Sequence, residues 1–222
     1  MQVIEPGYMI LTPISAGGKK ELQHLERIAR VCYKSESHIT NDGESAKRLI
    51  GSLISNGHDA MLEHGSISVW FCCDRGISHE LVRHRLASFA QESTRYCNYA
   101  NDKFGNELTF IRPYFFEDGV RYSLWEKQMQ EAEDIYLDLI ATGAKPEEAR
   151  SVLPNSLKTE IVVTANYREW QHILKLRTSE KAHPQMREIM LPLLEDFHEI
   201  LPIIFDGLYG MRNYQKERGA NV

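Results

Sequence analysis

The chain has 222 residues, long enough to bury a full hydrophobic core in one domain, and 42% hydrophobic with 26% charged residues excludes a disordered chain. No apolar run approaches the roughly 20 residues that span a bilayer, so no membrane partner is expected. A formal net charge of -5 argues against a protein that grips long nucleic acid, and four cysteines fall short of a disulfide scaffold.

The N-terminal MQVIEPGYMILTPI lacks the basic start and cleavage site of a secretory signal, and a cytoplasmic protein is expected. Residues 20–33 (KELQHLERIARVCY) place Leu22, Leu25, Ile28, Ala29 and Cys32 at helical spacing, and 45–55 reads as a second helix ending near Asn56 and Gly57. The period then changes: HGSISVWFCCD is rich in β-branched and aromatic residues and reads as a strand, with Asp74, Arg75 and Gly76 as its exit turn. Vicinal Cys72 and Cys73 in that strand are expected to be inert, and Cys97 is the one cysteine close to a basic cluster.

From 77 to 89 the spacing of Val82, Leu86 and Phe89 predicts another helix. ELTFIRPYFF is a second strand candidate, Tyr122 to about Ile140 a long helix, Ala144 to Leu153 a short one, and KTEIVVTA a third strand. Helices over 168–177 and from Pro184 to about Phe205, the latter kinked at Pro192 or Pro202, complete the chain. Without regular βαβ alternation, repeats or a linker, the expectation is a single α+β domain over 1–222, mixed helices with a small antiparallel-type sheet.

RHRLASFAQESTR, residues 83–95, concentrates the positive charge. Between Lys47 and Lys103 there is no lysine, yet Arg48, Arg75, Arg83, Arg85 and Arg95 occur there. Arginine's planar fork binds phosphate or carboxylate through paired hydrogen bonds, so this choice favours shaped recognition of a small anion. On a helix, Arg83, His84 and Arg85 would fan over roughly 200° and would have to serve different groups. The bland alternative is a solvated face on which Glu80 pairs with Arg83 or His84. Ser88, Ser93 and Arg95 shift the balance, because QESTR offers hydroxyls, backbone N–H groups and a guanidinium from a turn, which suits a nucleotide phosphate.

In the C-terminal half, Arg177 continues the apolar stripe of Trp170, Ile173 and Leu174, and an inward arginine must be paired, snorkel outward or hold a ligand. Asn166 stands at a strand-to-helix junction, where it caps the helix or offers its amide to a polar ring edge. His58 with Asp59, joined by His64, His79 and His84, raises a metal-dependent nucleotide phosphohydrolase as an alternative. No H-E-x-x-H pair supports it, and no metal site is expected; phosphate and dinucleotide loops are absent as well. A non-enzymatic polyanion-binding module is a third reading, which the acidic balance opposes.

Arg83, His84, Arg85, Ser88, Ser93 and Arg95 occupy every fixed position of the signature of the flavin-dependent thymidylate synthases, R-H-R, two residues, Ser, four residues, Ser, one residue, Arg. The resemblance extends from LEHGSISVWF through ARSVLPNSLKTEIVVTANYREWQHILKLR to AHPQMREI. It implies reductive methylation of dUMP to dTMP, with 5,10-methylenetetrahydrofolate as carbon donor and NADPH as reductant through FAD, and no enzymic cysteine nucleophile. By the same resemblance Arg83, His84 and Arg85 contact FAD, Ser66 reaches it from a neighbouring subunit, and Asn166, Tyr167, Arg168 and His172 line the flavin site. Glu80, Leu81, Val82 and Arg83, then Gln91, Glu92, Ser93, Thr94 and Arg95, with Arg150, hold dUMP, Gln91 also lying near the cofactor. Arg177 faces the uracil ring and activates it. Gln91 and Glu80 trade charge with the residues that some members carry there. The resemblance further implies a homotetramer with active sites shared between subunits.

Overall fold

Two nine-residue strands carry the architecture, β3 (Ser66–Asp74) and β6 (Lys158–Asn166). In β6 every second residue, Thr159, Ile161, Val163 and Ala165, is buried while the residues between are half-buried, the period of a strand with one face on a core. β3 begins in the same way with Ile67 and Val69 and then buries the whole stretch from Phe71 to Asp74. The computed structural model describes residues 1–101, 105–116 and 119–219, with side chains described up to Gly210.

β2 (Gly7–Ile10) and β4 (Ala87–Gln91) flank these strands in a four-stranded sheet of order β2-β3-β6-β4. β1 (Gln2–Ile4) and β5 (Thr109–Ile111) form a separate parallel pair with Gln2 opposite Thr109 and Ile4 opposite Ile111. Parallel and antiparallel strands both occur, and the class is α+β as expected. The short strands β1, β2 and β4 have no counterpart in the sequence reading.

The chain divides into two compact units, Met1–Met9 with Trp70–Val163, and Ile10–Val69 with everything from Thr164 on; β3 and β6 each pass through both. In the first unit α3 (Arg75–Leu81) follows β3 directly, capped by Asp74, whose Oδ1 accepts from the Ile77 N–H at 2.7 Å. The expected exit turn is therefore the first turn of a helix. Its core is built on α4 (Val120–Ala141), where Trp125, Met129, Ala132 and Tyr136 form one buried stripe against Tyr99, Leu108, Phe110 and Leu157. The short helix is shorter still, α5 (Pro146–Ala149) followed by one 3₁₀ turn from Arg150.

The second unit packs α1 (Lys19–Val31), α2 (Glu44–Ser55), α6 (Tyr167–Arg177), α7 (Pro184–Ile200) and α8 (Pro202–Gly219). Glu26 on the buried face of α1 is fully enclosed, and its charge is answered by Arg30 Nε at 2.8 Å and Ser45 Oγ at 2.9 Å. The kink expected at one of two prolines falls at the second. Leu201 leaves the helical region, as a residue before proline must, and Pro202 opens α8, whereas Pro192 lies inside α7. Among the described residues no helix is long and apolar enough to cross a membrane.

Residues 77–89 depart most from expectation. The helix stops at Leu81, residues 82–86 form a turn, and 87–91 are strand β4. Val82 and Leu86, which the helical reading turned inward, are exposed, Leu86 to 75%. The physical reason is pairing: β4 lies beside β6 in the sheet, and Glu92 N–H continues the contact to the Glu160 carbonyl at 2.9 Å. Ladder hydrogen bonds outweigh a helical pattern that rests on three apolar residues.

Candidate active site

Because α3 ends early, Arg83, His84 and Arg85 sit on a turn, not on a fan of helix positions. The turn is held by i→i+3 bonds from Arg83 N–H to Glu80 O and from His84 N–H to Leu81 O, 3.3 and 3.1 Å. It points the two arginines outward and buries His84. Leu81 is a core side chain, so any ligand contact it makes is through its backbone; Glu80 is half-buried and Val82 exposed.

The segment after β4 divides into an inward and an outward part. Gln91 Nε2 donates to Ser78 Oγ and Thr159 Oγ1 at 2.9 and 3.2 Å, and both carboxylate oxygens of Glu92 are engaged, by Tyr99 Oη and Lys158 Nζ. Ser93 turns the chain. Its carbonyl accepts from the N–H groups of Tyr96 and Cys97, and its hydroxyl accepts from the Arg95 N–H at 3.3 Å. Beyond it the guanidinium of Arg95 is exposed, 3.4 Å from Glu147, and lies 5.4 Å from the centre of the Tyr96 ring. Arg150, also exposed, donates to Thr94 Oγ1 at 3.4 Å. Two guanidiniums separated by more than fifty residues of chain meet one hydroxyl-bearing turn, an arrangement suited to a doubly charged phosphate. Ser88 is exposed on β4.

In the second unit Asn166 caps α6, its Oδ1 accepting from the Glu169 N–H at 2.8 Å. Tyr167 is buried to 3% exposure against Gly65, where any Cβ would run into its ring, and its N–H donates to the Gly65 carbonyl at 3.0 Å. Burial pushes the Tyr167 phenol up to about 12. Gly65 thereby brings the start of β3, with exposed Ser66 and His64, against the first turn of α6. Arg168 is exposed and paired with Glu63 at 2.6 Å. Arg168 and His172 line a cavity of about 410 Å³ together with Lys175, Asp59, Ile54 and Leu208. Its lining thus joins basic side chains to aliphatic ones, with one carboxylate, Asp59, among them.

Arg177 is the last residue of α6 and is half-buried, whereas Trp170, Ile173 and Leu174 are enclosed. The stripe therefore ends one turn earlier than expected, and the guanidinium stands at the helix C-terminus, where the macrodipole favours a cation. His183, whose role the sequence leaves open, caps α7 through Nδ1, which accepts from the Gln185 N–H at 3.3 Å. His58 and Asp59 open a 3₁₀ segment, and among the described residues neither belongs to a group of three donors close enough to share an ion. Burial raises the thiols of Cys72 and Cys73, the latter strongly, as inert cysteines require.

Residues that sequence reasoning missed are Lys158 and Tyr99, which hold the Glu92 carboxylate, and Glu160, which holds Lys158. The available signal was the charged pair at i and i+2 in KTE, which a strand of period two puts on one face.

A family profile described as thymidylate synthase complementing protein matches residues 18–203. The chain is 33% identical to the flavin-dependent thymidylate synthase of Pyrococcus furiosus over 195 residues, 84% of this chain and 79% of that one. It is 36% identical to the enzyme of that name from Thermococcus onnurineus over 195 residues, with the same coverage, and 32% to that of Corynebacterium aurimucosum, covering 88% and 83%. Among solved structures it resembles the UMP/dUMP methylase PolB from Streptomyces cacaoi bound with 5-Br dUMP, with a TM-score of 0.75 and 22% identity over 95% and 97% of the chains, a likeness of fold. With the signature arginines and serines on one continuous turn-strand-turn segment and the profile covering most of both units, the chain belongs to the flavin-dependent thymidylate synthases.

Proposed function

We infer that the protein methylates dUMP to dTMP, using 5,10-methylenetetrahydrofolate as carbon donor and NADPH as reductant. The observation that carries this reading is the meeting of Arg95 and Arg150 at the Ser93–Thr94 turn, where a nucleotide monophosphate finds two forks and the Ser93 hydroxyl, buried Thr94 serving to hold Arg150. Ser93, Arg95 and Arg150 bind the phosphate, and the backbone of Leu81 with Glu80, Val82 and Arg83 orients the sugar and base.

The residues present suit a flavin dinucleotide. The cavity of the second unit joins aliphatic Ile54 and Leu208 to basic Arg168, His172 and Lys175, chemistry matched to a flat ring with phosphates. Asn166, Tyr167, Arg168 and His172 would hold the cofactor, as would Arg83, His84 and Arg85, with Ser66 reaching it from a neighbouring subunit. FAD, when bound, relays the hydride from NADPH. Arg177 is a cation beside the pyrimidine N3 and carbonyls; it stabilises negative charge developing on the ring and makes C5 a better nucleophile. No cysteine is needed for that step, in keeping with the buried, high-pKa thiols of β3.

We further read residues 1–222 as one such domain, acting in a cytoplasmic homotetramer with active sites shared between subunits; the profile match, which draws on both units, supports the single domain. The test is direct. The purified protein should be yellow, or become so on addition of FAD, and should release tritium from C5-labelled dUMP only when methylenetetrahydrofolate and NADPH are present. A colourless protein that hydrolyses nucleotides and is silenced by EDTA would instead restore the phosphohydrolase built on His58 and Asp59.

A further inference from the structure

We propose that Lys158, Glu92 and Tyr99 form a staple that positions the phosphate-receiving turn, with Glu92 serving as a positioning residue and not as a ligand. The proposal rests on the reading of Ser93, Thr94 and Arg95 as the phosphate site.

Glu92 and Tyr99 are the two ends of the loop that carries those residues, and the Tyr99 hydroxyl donates to Glu92 Oε1 at 2.9 Å, closing the loop at its base. The far end is itself fixed, because Tyr99 is buried and its N–H donates to the Tyr136 hydroxyl at 3.4 Å. Such a carboxylate needs a counter-charge. The side chains of Glu92 and Lys158 are only 13% and 20% exposed, and Lys158 Nζ donates to Glu92 Oε2 at 3.2 Å. Removing one member of a largely buried pair leaves the other uncompensated.

Lys158 is held in turn by Glu160, whose second oxygen accepts from Trp70 Nε1 at 3.1 Å. Burial pulls the ammonium pKa down, but the hydrogen bond to Glu160 and the charge of Glu92 outweigh it and leave Lys158 above its ordinary value, so the cation persists. Glu160 is held below its ordinary value by the hydrogen bond from Lys158, against the opposing pull of burial. With Gln91 bonded to Ser78 and Thr159 one residue earlier, the chain enters the loop with its direction set from both sides. What projects outward is Arg95, 53% exposed at the side chain. The staple thus fixes a backbone on which the Ser93 hydroxyl and the Arg95 fork are presented and buried Thr94 accepts from Arg150, while keeping a carboxylate away from the phosphate it would repel.

The experiment uses the flavin-loaded protein and compares dUMP with deoxyuridine, which lacks the phosphate, by titration calorimetry. Lys158→Met and Tyr99→Phe should each weaken dUMP binding about tenfold or more, the scale of one charge-assisted hydrogen bond lost, and change deoxyuridine binding less than about twofold. The flavin spectrum and the turnover rate at saturating dUMP should stay near wild type, and Lys158→Arg should recover most of the lost affinity. If Lys158→Met does not fold, Tyr99→Phe, which deletes a single oxygen, decides alone. Unchanged dUMP affinity in the folded variants, or equal losses for dUMP and deoxyuridine, overturns the staple. A wild-type protein that binds dUMP no better than deoxyuridine removes the phosphate reading itself, and the staple's role falls with it.

Discussion

Two arginine-bearing segments, 83–95 and 166–177, hold most of the residues assigned to the reaction, and they are built by opposite means. The second is coded locally: Asn166 caps α6, Trp170, Ile173 and Leu174 give it a buried stripe, and Arg177 ends it. The first owes its form to partners far along the chain. Gln91 is fixed by Thr159 and Glu92 by Lys158, 68 and 66 residues away. A locally coded element keeps its shape when a functional side chain is removed, whereas in a segment held from a distance shape and ligand contact are harder to separate.

The largest expected effect lies in the locally coded segment. Arg177→Ala should cut dTMP formation by about 10²–10³-fold, the range for losing one group that stabilises developing charge. The rest of α6 is held by its cap and stripe, so flavin binding and thermal stability should survive. Steady-state kinetics beside a flavin titration measure both. Wild-type turnover in this variant removes the activation role of Arg177.

In the other segment Arg95→Ala should raise the KM for dUMP roughly 10- to 100-fold with kcat little changed, because a charge-assisted contact to phosphate contributes about 1.5–3 kcal/mol. Its ion pair with Glu147 is exposed and contributes little to stability, so the melting temperature should hardly move. A large loss of stability would show that Arg95, like Gln91 and Glu92, serves the fold of the segment.

The same division explains what was legible beforehand. β3, β6, α4 and α6 follow from period-two and period-3.6 patterns long enough to leave one solution. β4 failed that test: five residues, of which Ala87, Phe89 and Gln91 face one way, compete with a helical spacing over the same stretch, and only the neighbouring β6 decides. Of the site, the residue types were visible and their directions were not. Nothing local states that Glu92 points inward, since its counter-charge Lys158 lies on another strand. Nor does the helical stripe reveal that Arg177 is half-buried at a helix end.

A smaller effect tests how firmly the locally coded junction is packed. Tyr167 has a phenol raised from 10.0 to about 12 by burial, so between those values the folded state retains a proton that the unfolded state has lost. Its contribution to stability is full below pH 10 and declines as pH rises toward 12. Tyr167→Phe should flatten the alkaline decline without abolishing it, because burial also raises Tyr99 and Tyr136. Denaturant midpoints measured at several pH values report the slope, and an unchanged slope would mean that Tyr167 is more solvated than its contact with Gly65 implies.

The smallest effect separates two roles of one side chain. Asn166 accepts from the Glu169 N–H and caps α6, so Asn166→Ala should cost about 1 kcal/mol of stability. Asn166→Asp keeps the accepting oxygen and puts a negative charge at the positive end of the helix, so stability should return to the wild-type value or slightly above it. An aspartate cannot donate as the amide does. If capping is all that Asn166 provides, the aspartate variant binds FAD and turns over like wild type; if the amide also donates to the flavin, affinity for FAD falls while stability stays high. Equilibrium unfolding and flavin titration of the two variants decide between these outcomes, because a cap requires an acceptor and a flavin carbonyl requires a donor.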